Sequence, residues 1–344
     1  MDLISFLPGP VNFDKATLDT LSQIPISHRS DEYKNLYDNC TALLCKITGS
    51  PHTFLAMGSG TLANEMIAAS LSTTHGKGVI ITNGEFGERL TEQAERFSLN
   101  FTHFCYGWGA EFDYSEIIRH ILEEKPAWLW MVHVETSTGI INDYTKFQEA
   151  CLSVACKLCV DIMSSLGNME VDLSKVYFAA ASSGKGLSTI PGLALIFSSQ
   201  VPPISKKIPK YLDLGYYHSK GGIPFTFSAN IVSSLYREAG MLDIAKRQDT
   251  VKNIALKLRN YLTKRKIKLI GREHSMAEYI ITAELPKDIN SLDFGNYLKD
   301  NKVLIHYKNE YLKDKNWIQL TIMGYPKNDF ADYFIELTEK YLSR

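Results

Sequence analysis

The chain has almost no net charge, no long apolar run and few cysteines, and each shortage excludes a class of protein. Its 37 basic and 38 acidic side chains leave a formal charge of -1, so no basic surface is expected for nucleic acid or anionic membranes. No segment approaches the ~18 apolar residues of a membrane span, and the first residues lack a basic stretch before an apolar one. We therefore expect a cytoplasmic protein that binds neither nucleic acid nor membrane.

The six cysteines among 344 residues are too sparse for a disulfide framework, so we expect them to be reduced. Cys156 and Cys159 form a CxxC pair, but no second CxxC pair or paired histidines lie nearby to complete a zinc site. Packing in the core is the favoured interpretation of this pair, and we expect no bound metal.

Apolar strands alternate with helical segments over the first two thirds of the chain. This alternation predicts an α/β fold in which helices cover both faces of a mostly parallel sheet. Ligand sites in such sheets lie beyond the carboxyl ends of the strands. Besides a short strand before the glycines at 58 and 60, strands are predicted at 79–82, 101–105, 128–134, 157–162, 176–180 and 193–197.

The pattern changes near residue 228, where a mostly helical run begins and continues to residue 262. Mixed strands and helices follow this run. The change predicts a large domain over 14–242 and a smaller α+β domain over 243–344. Residues 1–13 are expected to pack close to the interface between the two.

Asp161 and Lys185 follow successive predicted strands and provide an acid and an amine at one edge of the sheet. A buried carboxylate needs a charged partner, and the small neighbours of Lys185 allow its amine to be desolvated and neutral. The pair suits pyridoxal phosphate (PLP), whose pyridinium nitrogen pairs with a carboxylate and whose aldehyde forms a Schiff base with a lysine. A helix cap or salt bridge for Asp161 and a solvated amine for Lys185 are the alternatives.

The turn at 58–61 opens a helix, and its composition predicts a phosphate site. Free N–H groups and the helix dipole favour an anion there, while Ser59 and Thr61 add hydroxyl donors around Gly60. The segment GSGTLA also matches the GxGxxA fingerprint of dinucleotide-binding proteins, and a purely structural turn is a further alternative. A dinucleotide site requires an acid about 20 residues later, at the end of the second strand, but that strand ends at Asn83.

Phe86 and Thr136 follow two other strands and are candidate ligand contacts. Phe86 lies between glycines in NGEFG, where its ring could stack on a flat ligand or pack against the following helix. Thr136 lies in HVETSTG, where its hydroxyl could reach a ring oxygen or cap the turn. Their roles depend on what else meets at this edge of the sheet.

The sequence as a whole resembles the class V aminotransferases of PLP fold type I. It is most similar to the alanine-glyoxylate and serine-pyruvate group, with phosphoserine aminotransferase as a more distant relative. The resemblance implies the family's large PLP-binding domain and smaller C-terminal domain. It is carried, in the family's order, by FLPGPVNF, ISHRSDEY, MGSGTLANE, TNGEFGER, HVETSTGIIND, LCVDIMSSLG, SSGKGLSTIPGLA and YLKDKNWIQLTIMG.

Position by position, the resemblance implies that Lys185 is the lysine of the internal aldimine and Asp161 the partner of the pyridinium nitrogen. Phe86 stands where the family has a ring-stacking tryptophan or tyrosine. Thr136 corresponds to the hydroxyl near the phenolic oxygen of the ring. Lys185 and Asp161 are therefore the predicted catalytic residues.

The resemblance also implies how the cofactor phosphate is bound. Ser59, Gly60 and Thr61 correspond to the family's phosphate-binding turn. Thr226 matches a threonine that reaches the phosphate of the neighbouring subunit's cofactor, so a homodimer with shared active sites is implied. The tyrosine that usually precedes this threonine by three residues is Ile223 here, which removes one phosphate contact.

Gln319 marks the main departure from the family pattern, because family members normally carry an arginine there for the substrate carboxylate. Glutamine offers neutral donors only, and hydrogen bonds to charged groups contribute ~1.5–3 kcal/mol. Another cation could substitute, with Arg29, Arg272 and Lys308 as candidates, or the substrate could differ from a standard α-amino acid. A degraded carboxylate site is the remaining interpretation.

The resemblance implies an enzyme that moves an amino group between an amine or amino acid and a 2-oxo acid. The alternatives are phosphoserine aminotransferase and a PLP-fold protein with altered or lost activity. A desulfurase would need a cysteine in the C-terminal part, and none lies beyond Cys159. A nicotinamide-dependent dehydrogenase rests on GSGTLA alone.

Overall fold

Strands and helices alternate through the computed structural model, which describes residues 3–343 of the chain. The helices are α1 (Lys15–Asp19), α2 (Asp31–Thr48), α3 (Gly60–Leu71), α4 (Glu85–Arg96), α5 (Tyr114–Glu124), α6 (Thr145–Ser153), α7 (Leu214–Ser219), α8 (Ala229–Gly240), α9 (Ile244–Lys264), α10 (Ser291–Asp300), α11 (Glu310–Asp314) and α12 (Phe330–Leu342). Short 3-10 turns lie at Thr20–Ser22, Lys210–Leu212 and Glu273–Ser275. The strands are β1 (Ile4–Phe6), β2 (His52–Met57), β3 (Gly78–Thr82), β4 (Phe101–Cys105), β5 (Trp128–Val132), β6 (Val134–Glu135), β7 (Ile140–Ile141), β8 (Lys157–Asp161), β9 (Phe178–Ser182), β10 (Leu193–Ser198), β11 (Lys268–Leu269), β12 (Ile280–Glu284), β13 (Val303–Ile305) and β14 (Trp317–Thr321).

A seven-stranded sheet with the order β2-β10-β9-β8-β5-β3-β4 forms the centre of the molecule. Its neighbours pair in parallel from β9 to β4, whereas β10 is antiparallel to both β9 and β2. The prediction of a mostly parallel sheet is therefore confirmed, and the reversed β10 is an addition to it. Every residue of β3 and β5 is buried, as expected for strands that helices cover on both faces.

The strand order explains why the two predicted catalytic residues meet. β8 and β9 are parallel neighbours, and Asp161 pairs with Ala180 in their register. Asp161 is the last residue of β8, and Lys185 lies three residues beyond the end of β9. Both side chains therefore lie at the carboxyl edge of the sheet, where ligands bind in this kind of fold.

A second apolar core lies in the C-terminal part of the chain. It combines residues of α9, α10 and α12 with the strands of a small sheet ordered β11-β12-β14. Ile4 and Phe6 of β1 also belong to this core, because β1 pairs in parallel with β13. We propose the domain division 14–242 and 243–344, with the N-terminal strand joined to the smaller unit, because the two cores divide in this way.

Several element bounds differ from the sequence-based prediction. The helical run from residue 228 is interrupted between α8 and α9, where Asp243 accepts a hydrogen bond from the Lys246 N–H and starts a new helix. β9 begins two residues later than predicted and reaches Ser182. Within residues 3–343, no helix has both the length and the apolarity that a bilayer span requires.

Candidate functional site

Asp161 is a buried carboxylate held in place by two hydrogen bonds. Its Oδ2 accepts from Nδ2 of Asn64 at 2.7 Å, and its Oδ1 accepts from the backbone N–H of Met163 at 2.8 Å. Burial raises the pKa of Asp161 above its usual range, while these bonds and the positive charge of Lys185 oppose the rise. The carboxylate thus needs a cationic partner in order to remain charged.

Lys185 extends into the same cavity from the loop after β9. Its Nζ lies 5.2 Å from the centroid of the Phe86 ring. Burial lowers the pKa of the Lys185 amine, and the charge of Arg89 lowers it further, whereas Asp161 and Glu135 oppose the shift. A lysine in this setting more readily becomes the neutral amine that nucleophilic and base chemistry require.

Close contacts with neighbouring segments require the glycines on either side of Lys185. A Cβ atom at Gly186 would lie 2.2 Å from the carbonyl oxygen of Leu166. A Cβ atom at Gly184 would lie 2.8 Å from Cγ of Pro191. The loop is therefore packed tightly around the lysine, and larger residues would displace it.

A cavity of about 690 Å³ joins these groups. Its wall contains the two catalytic candidates, the glycine turn before α3 and the N-terminal Pro8–Pro10 segment. Residues that the sequence analysis did not select also line it. Its polar and aromatic lining includes Ser59, Thr61, Asn64, Phe86, Arg89, Gln93, Asp161, Ser182, Lys185, His306 and Asn309.

The turn before α3 presents the start of a helix to this cavity. Ser59 is the N-cap residue, but its side chain makes no capping hydrogen bond, so its hydroxyl does not serve the helix itself. A Cβ atom at Gly60 would lie 2.2 Å from Sδ of Met163, so glycine lets the turn pack directly against the segment after Asp161. The exposed helix start and the free cap favour an anionic group.

Phe86 is held by Glu135, a residue that the sequence analysis missed. The backbone N–H groups of Phe86 and Gly87 donate to Oε2 of Glu135 at 3.1 and 2.9 Å. The Ser137 N–H and hydroxyl donate to Oε1 of the same carboxylate at 3.0 and 2.5 Å. Glu135 is fully buried and joins the start of α4 to the end of β6, so it fixes the aromatic ring relative to the sheet. An acidic residue directly after an apolar strand was the available signal.

Thr136 and Gln319 lie behind the cavity wall. Thr136 is buried, its hydroxyl bonds that of Ser164, and its carbonyl oxygen accepts from Nε2 of Gln319 at 2.5 Å. Gln319 is completely buried and also bonds Thr282 and His306. Neither residue is among those that line the cavity, and the contacts expected of them with ring and substrate stay predictions.

The other predicted residues lie outside the cavity of this single chain. Thr226 and Arg29 are both exposed, and neither lines the cavity. Arg272 is 77% exposed and faces Glu111, while Lys308 lies over the Tyr307 ring. Arg89 lines the cavity together with Lys185, and its guanidinium also bonds Glu85 and lies 4.9 Å from the centroid of the Phe86 ring.

The fold and this site define a PLP-dependent enzyme of fold type I. A model of the family "Aminotransferase class-V" matches residues 22–210, and the chain belongs to this family. It is thus an aminotransferase with PLP as its cofactor, as predicted.

Similar proteins span most of the chain. An uncharacterized aminotransferase of Methanocaldococcus jannaschii is 27% identical over 314 residues, covering 86% of this chain and 80% of that protein. A bifunctional phosphonoacetaldehyde hydrolase/aminoethylphosphonate transaminase of Clostridioides difficile is 25% identical over all of this chain and 57% of its own length. The crystal structure of ureidoglycine-glyoxylate aminotransferase from Bacillus subtilis superposes with a TM-score of 0.93 at 22% identity, covering 99% and 93% of the two chains.

The residues around the cavity fit PLP by the chemistry they offer. An uncapped helix start suits a phosphate, a buried carboxylate suits a protonated ring nitrogen, and a desolvated amine suits an aldehyde. Oδ1 of Asn64 is buried and has no hydrogen-bond partner among the described residues, so the cavity retains unused polar capacity beside Asp161. Within residues 3–343 no cluster of three or more His, Cys, Asp or Glu side chains could hold a metal ion.

Proposed function

We propose that the chain transfers an amino group between an amine or amino acid and a 2-oxo acid, with Lys185 and Asp161 as its catalytic residues. The observation that carries the proposal is the convergence of these two side chains on one cavity from adjacent strands. The reaction class follows from the family. The assignment of roles rests on the geometry around the two residues.

Lys185 is proposed to bind the cofactor and to move the proton. Burial favours its neutral form, so Nζ can act as a nucleophile towards the cofactor aldehyde and as a base towards the substrate carbon. Bound PLP supplies an electron sink for the electron pair released at that carbon. Asp161, held by Asn64 and the Met163 N–H, is proposed to keep the ring nitrogen protonated.

The remaining cavity residues are proposed to orient the cofactor. The helix start at Ser59, Gly60 and Thr61 would bind the phosphate, because these three residues line the cavity and a helix N-terminus favours an anion. Phe86 would contact the ring face, since its own ring lies beside Lys185 and its backbone is anchored by Glu135. Thr136 would act indirectly, as part of the wall behind them.

We also propose a cytoplasmic homodimer with shared active sites. Thr226 is exposed and lies outside the cavity of its own chain, as is expected of a residue that serves the partner's cofactor. Arg29 is exposed in the same way and is a second candidate for the partner's site. Sedimentation of the purified protein tests the oligomeric state.

A second candidate function is a protein that kept the fold and cofactor but altered or lost transamination. The observation in its favour is Gln319, a neutral and fully buried side chain at the position of the family's arginine. The relative that acts on aminoethylphosphonate makes an amine without an α-carboxylate a donor to test.

A spectral screen separates the two candidates. The PLP-loaded protein would be mixed with alanine, serine, phosphoserine and aminoethylphosphonate, and the cofactor absorbance followed. An aminotransferase loses the aldehyde-form band with its donor and recovers it when pyruvate or glyoxylate is added. Binding of PLP without any such cycle supports the second candidate instead.

A further inference from the structure

The hydrogen bonds around Gln319 fix the orientation of its side-chain amide. The Thr136 carbonyl oxygen can only accept, so the Gln319 atom 2.5 Å from it must be the nitrogen. The Thr282 hydroxyl donates to the Ser137 carbonyl oxygen at 3.3 Å and so accepts from the same nitrogen at 2.9 Å. Both N–H groups of Gln319 are thus used, and only Oε1 remains for its third neighbour.

That third neighbour is His306, and the contact determines its tautomer. Nδ1 of His306 lies 3.1 Å from Oε1 of Gln319. Because Oε1 can only accept, Nδ1 of His306 must carry a hydrogen. Nε2 is therefore the ring atom that gains or loses the proton. The pairing is reinforced by two backbone bonds, since the N–H of each residue donates to the carbonyl oxygen of the other at 3.0 and 2.9 Å.

His306 lines the cavity, whereas Gln319 does not. Its neighbours come from several elements: Lys185 from the loop after β9, Asn309 and the Tyr311 ring from its own segment and α11, and Gln319 from β14. Lys185 is the charged member of this group. Burial lowers the pKa of His306, the Lys185 charge adds to this effect, and the bonds to Gln319 and Asn309 oppose it.

We propose that His306, oriented by Gln319, is the residue that binds the carboxylate of the 2-oxo acid substrate, in place of the arginine that the family carries at position 319. The proposal rests on the aminotransferase function proposed above. Gln319 acts as a positioning residue, because all hydrogen-bonding groups of its amide are used within the protein. One of these bonds orients the His306 imidazole. His306 supplies the charge, because its imidazolium ring can donate from Nε2 to a carboxylate oxygen, which would then compete with Asn309 for the imidazole.

This arrangement makes substrate binding depend on pH, unlike binding by an arginine, which stays charged. The free protein holds His306 neutral more readily than usual, and a bound carboxylate raises the pKa of its imidazole again. Binding therefore takes up a proton. Affinity is highest below the pKa of free His306 and falls, by up to about tenfold per pH unit, until the pH exceeds the pKa of the bound form.

The first test uses the purified, PLP-loaded protein in whatever oligomeric state it has. The KM values for pyruvate and for glyoxylate are measured between pH 5 and 9.

We expect KM to rise with pH in the wild type. We expect His306→Gln, which keeps a neutral donor but cannot be protonated, to have a high and pH-independent KM with a smaller change in kcat. Gln319→Glu places an anion beside Nδ1 and should shift the rise in KM to higher pH. His120→Gln is the matched control and should behave as the wild type, because His120 packs edge-on against Phe104 and does not line the cavity.

The second test does not depend on turnover. NMR titration of the imidazole signals, with His306 assigned from its loss in His306→Gln, should show a pKa that rises on addition of pyruvate or glyoxylate. An unchanged His306 signal with both acids, or a wild-type KM profile in His306→Gln, would overturn the proposal. In every one of these variants we expect PLP to form a Schiff base with Lys185 that borohydride can reduce. Absence of this Schiff base in the wild type would refute the proposed function rather than the role of His306.

Discussion

The two sides of the cavity differ in how closely they follow the family pattern. On the cofactor side, Lys185, Asp161 and the turn at Ser59 keep the residue types that the family uses, and they meet in one cavity. On the substrate side, Gln319 stands at the position of the expected arginine, and its hydrogen-bond partner His306 is the side chain that lines the cavity. We propose from this comparison that the chain keeps the family's cofactor chemistry but binds the substrate with different groups.

The largest expected effect comes from Lys185→Ala. The variant loses both the nucleophile and the proton carrier, so we expect transamination to fall at least about a thousandfold and cofactor attachment to disappear. Activity and absorbance spectra measure the two effects. Lys175→Ala, which removes an exposed lysine paired with Glu149, is the control and should be fully active. Wild-type turnover by Lys185→Ala would contradict the catalytic role proposed for this lysine.

Asp161→Asn is expected to have the next largest effect on activity. The amide keeps the size of the side chain but cannot hold the ring nitrogen protonated by charge, so we expect kcat to fall by about a hundredfold or more. Cofactor attachment to Lys185 should persist, which separates this variant from the first. An Asp161→Asn protein with normal kcat would show that the carboxylate does not control the ring.

Glu135→Gln tests how the cofactor side is held together. Four donors converge on this buried carboxylate, and an amide places N–H groups against some of them. We expect a loss of about 2–3 kcal/mol in the free energy of unfolding. Denaturant unfolding of the apo and PLP-loaded protein gives the value. Glu149→Gln, on the surface, should unfold like the wild type, and equal stability of the two variants would contradict the anchoring role.

Phe86→Leu has the smallest expected effect. An aromatic contact contributes about 0.5–1.5 kcal/mol beyond buried area, so the Kd for PLP should rise roughly three- to tenfold. Equilibrium dialysis of PLP measures it. Phe104→Leu, at β4 outside the cavity, is the matched control. A Kd unchanged by Phe86→Leu would mean that the ring only packs against α4.

Much of the cofactor side could be predicted because it is encoded locally. Strand, turn and helix follow one another in the sequence. The residues at the carboxyl ends of the strands therefore predict the edge of the sheet at which the site lies. The order of β8 and β9 then brings Asp161 and Lys185 together without any long-range information.

The substrate side could not be predicted because it depends on contacts between distant segments. Gln319 is bonded to Thr136, which lies 183 residues away. His306, which lines the cavity, follows β13 and forms an antiparallel bridge with Gln319 of β14. Nor does the sequence pattern show that the carboxylate of Glu135 would accept from the N–H groups of Phe86 and Gly87, 49 and 48 residues away.

Borohydride reduction of the PLP-saturated protein, followed by peptide mass mapping, identifies the lysine that holds the cofactor. We expect one phosphopyridoxyl group on Lys185, in the wild type and in His306→Gln alike. A modification on another lysine, or no modification at saturating PLP, would contradict it.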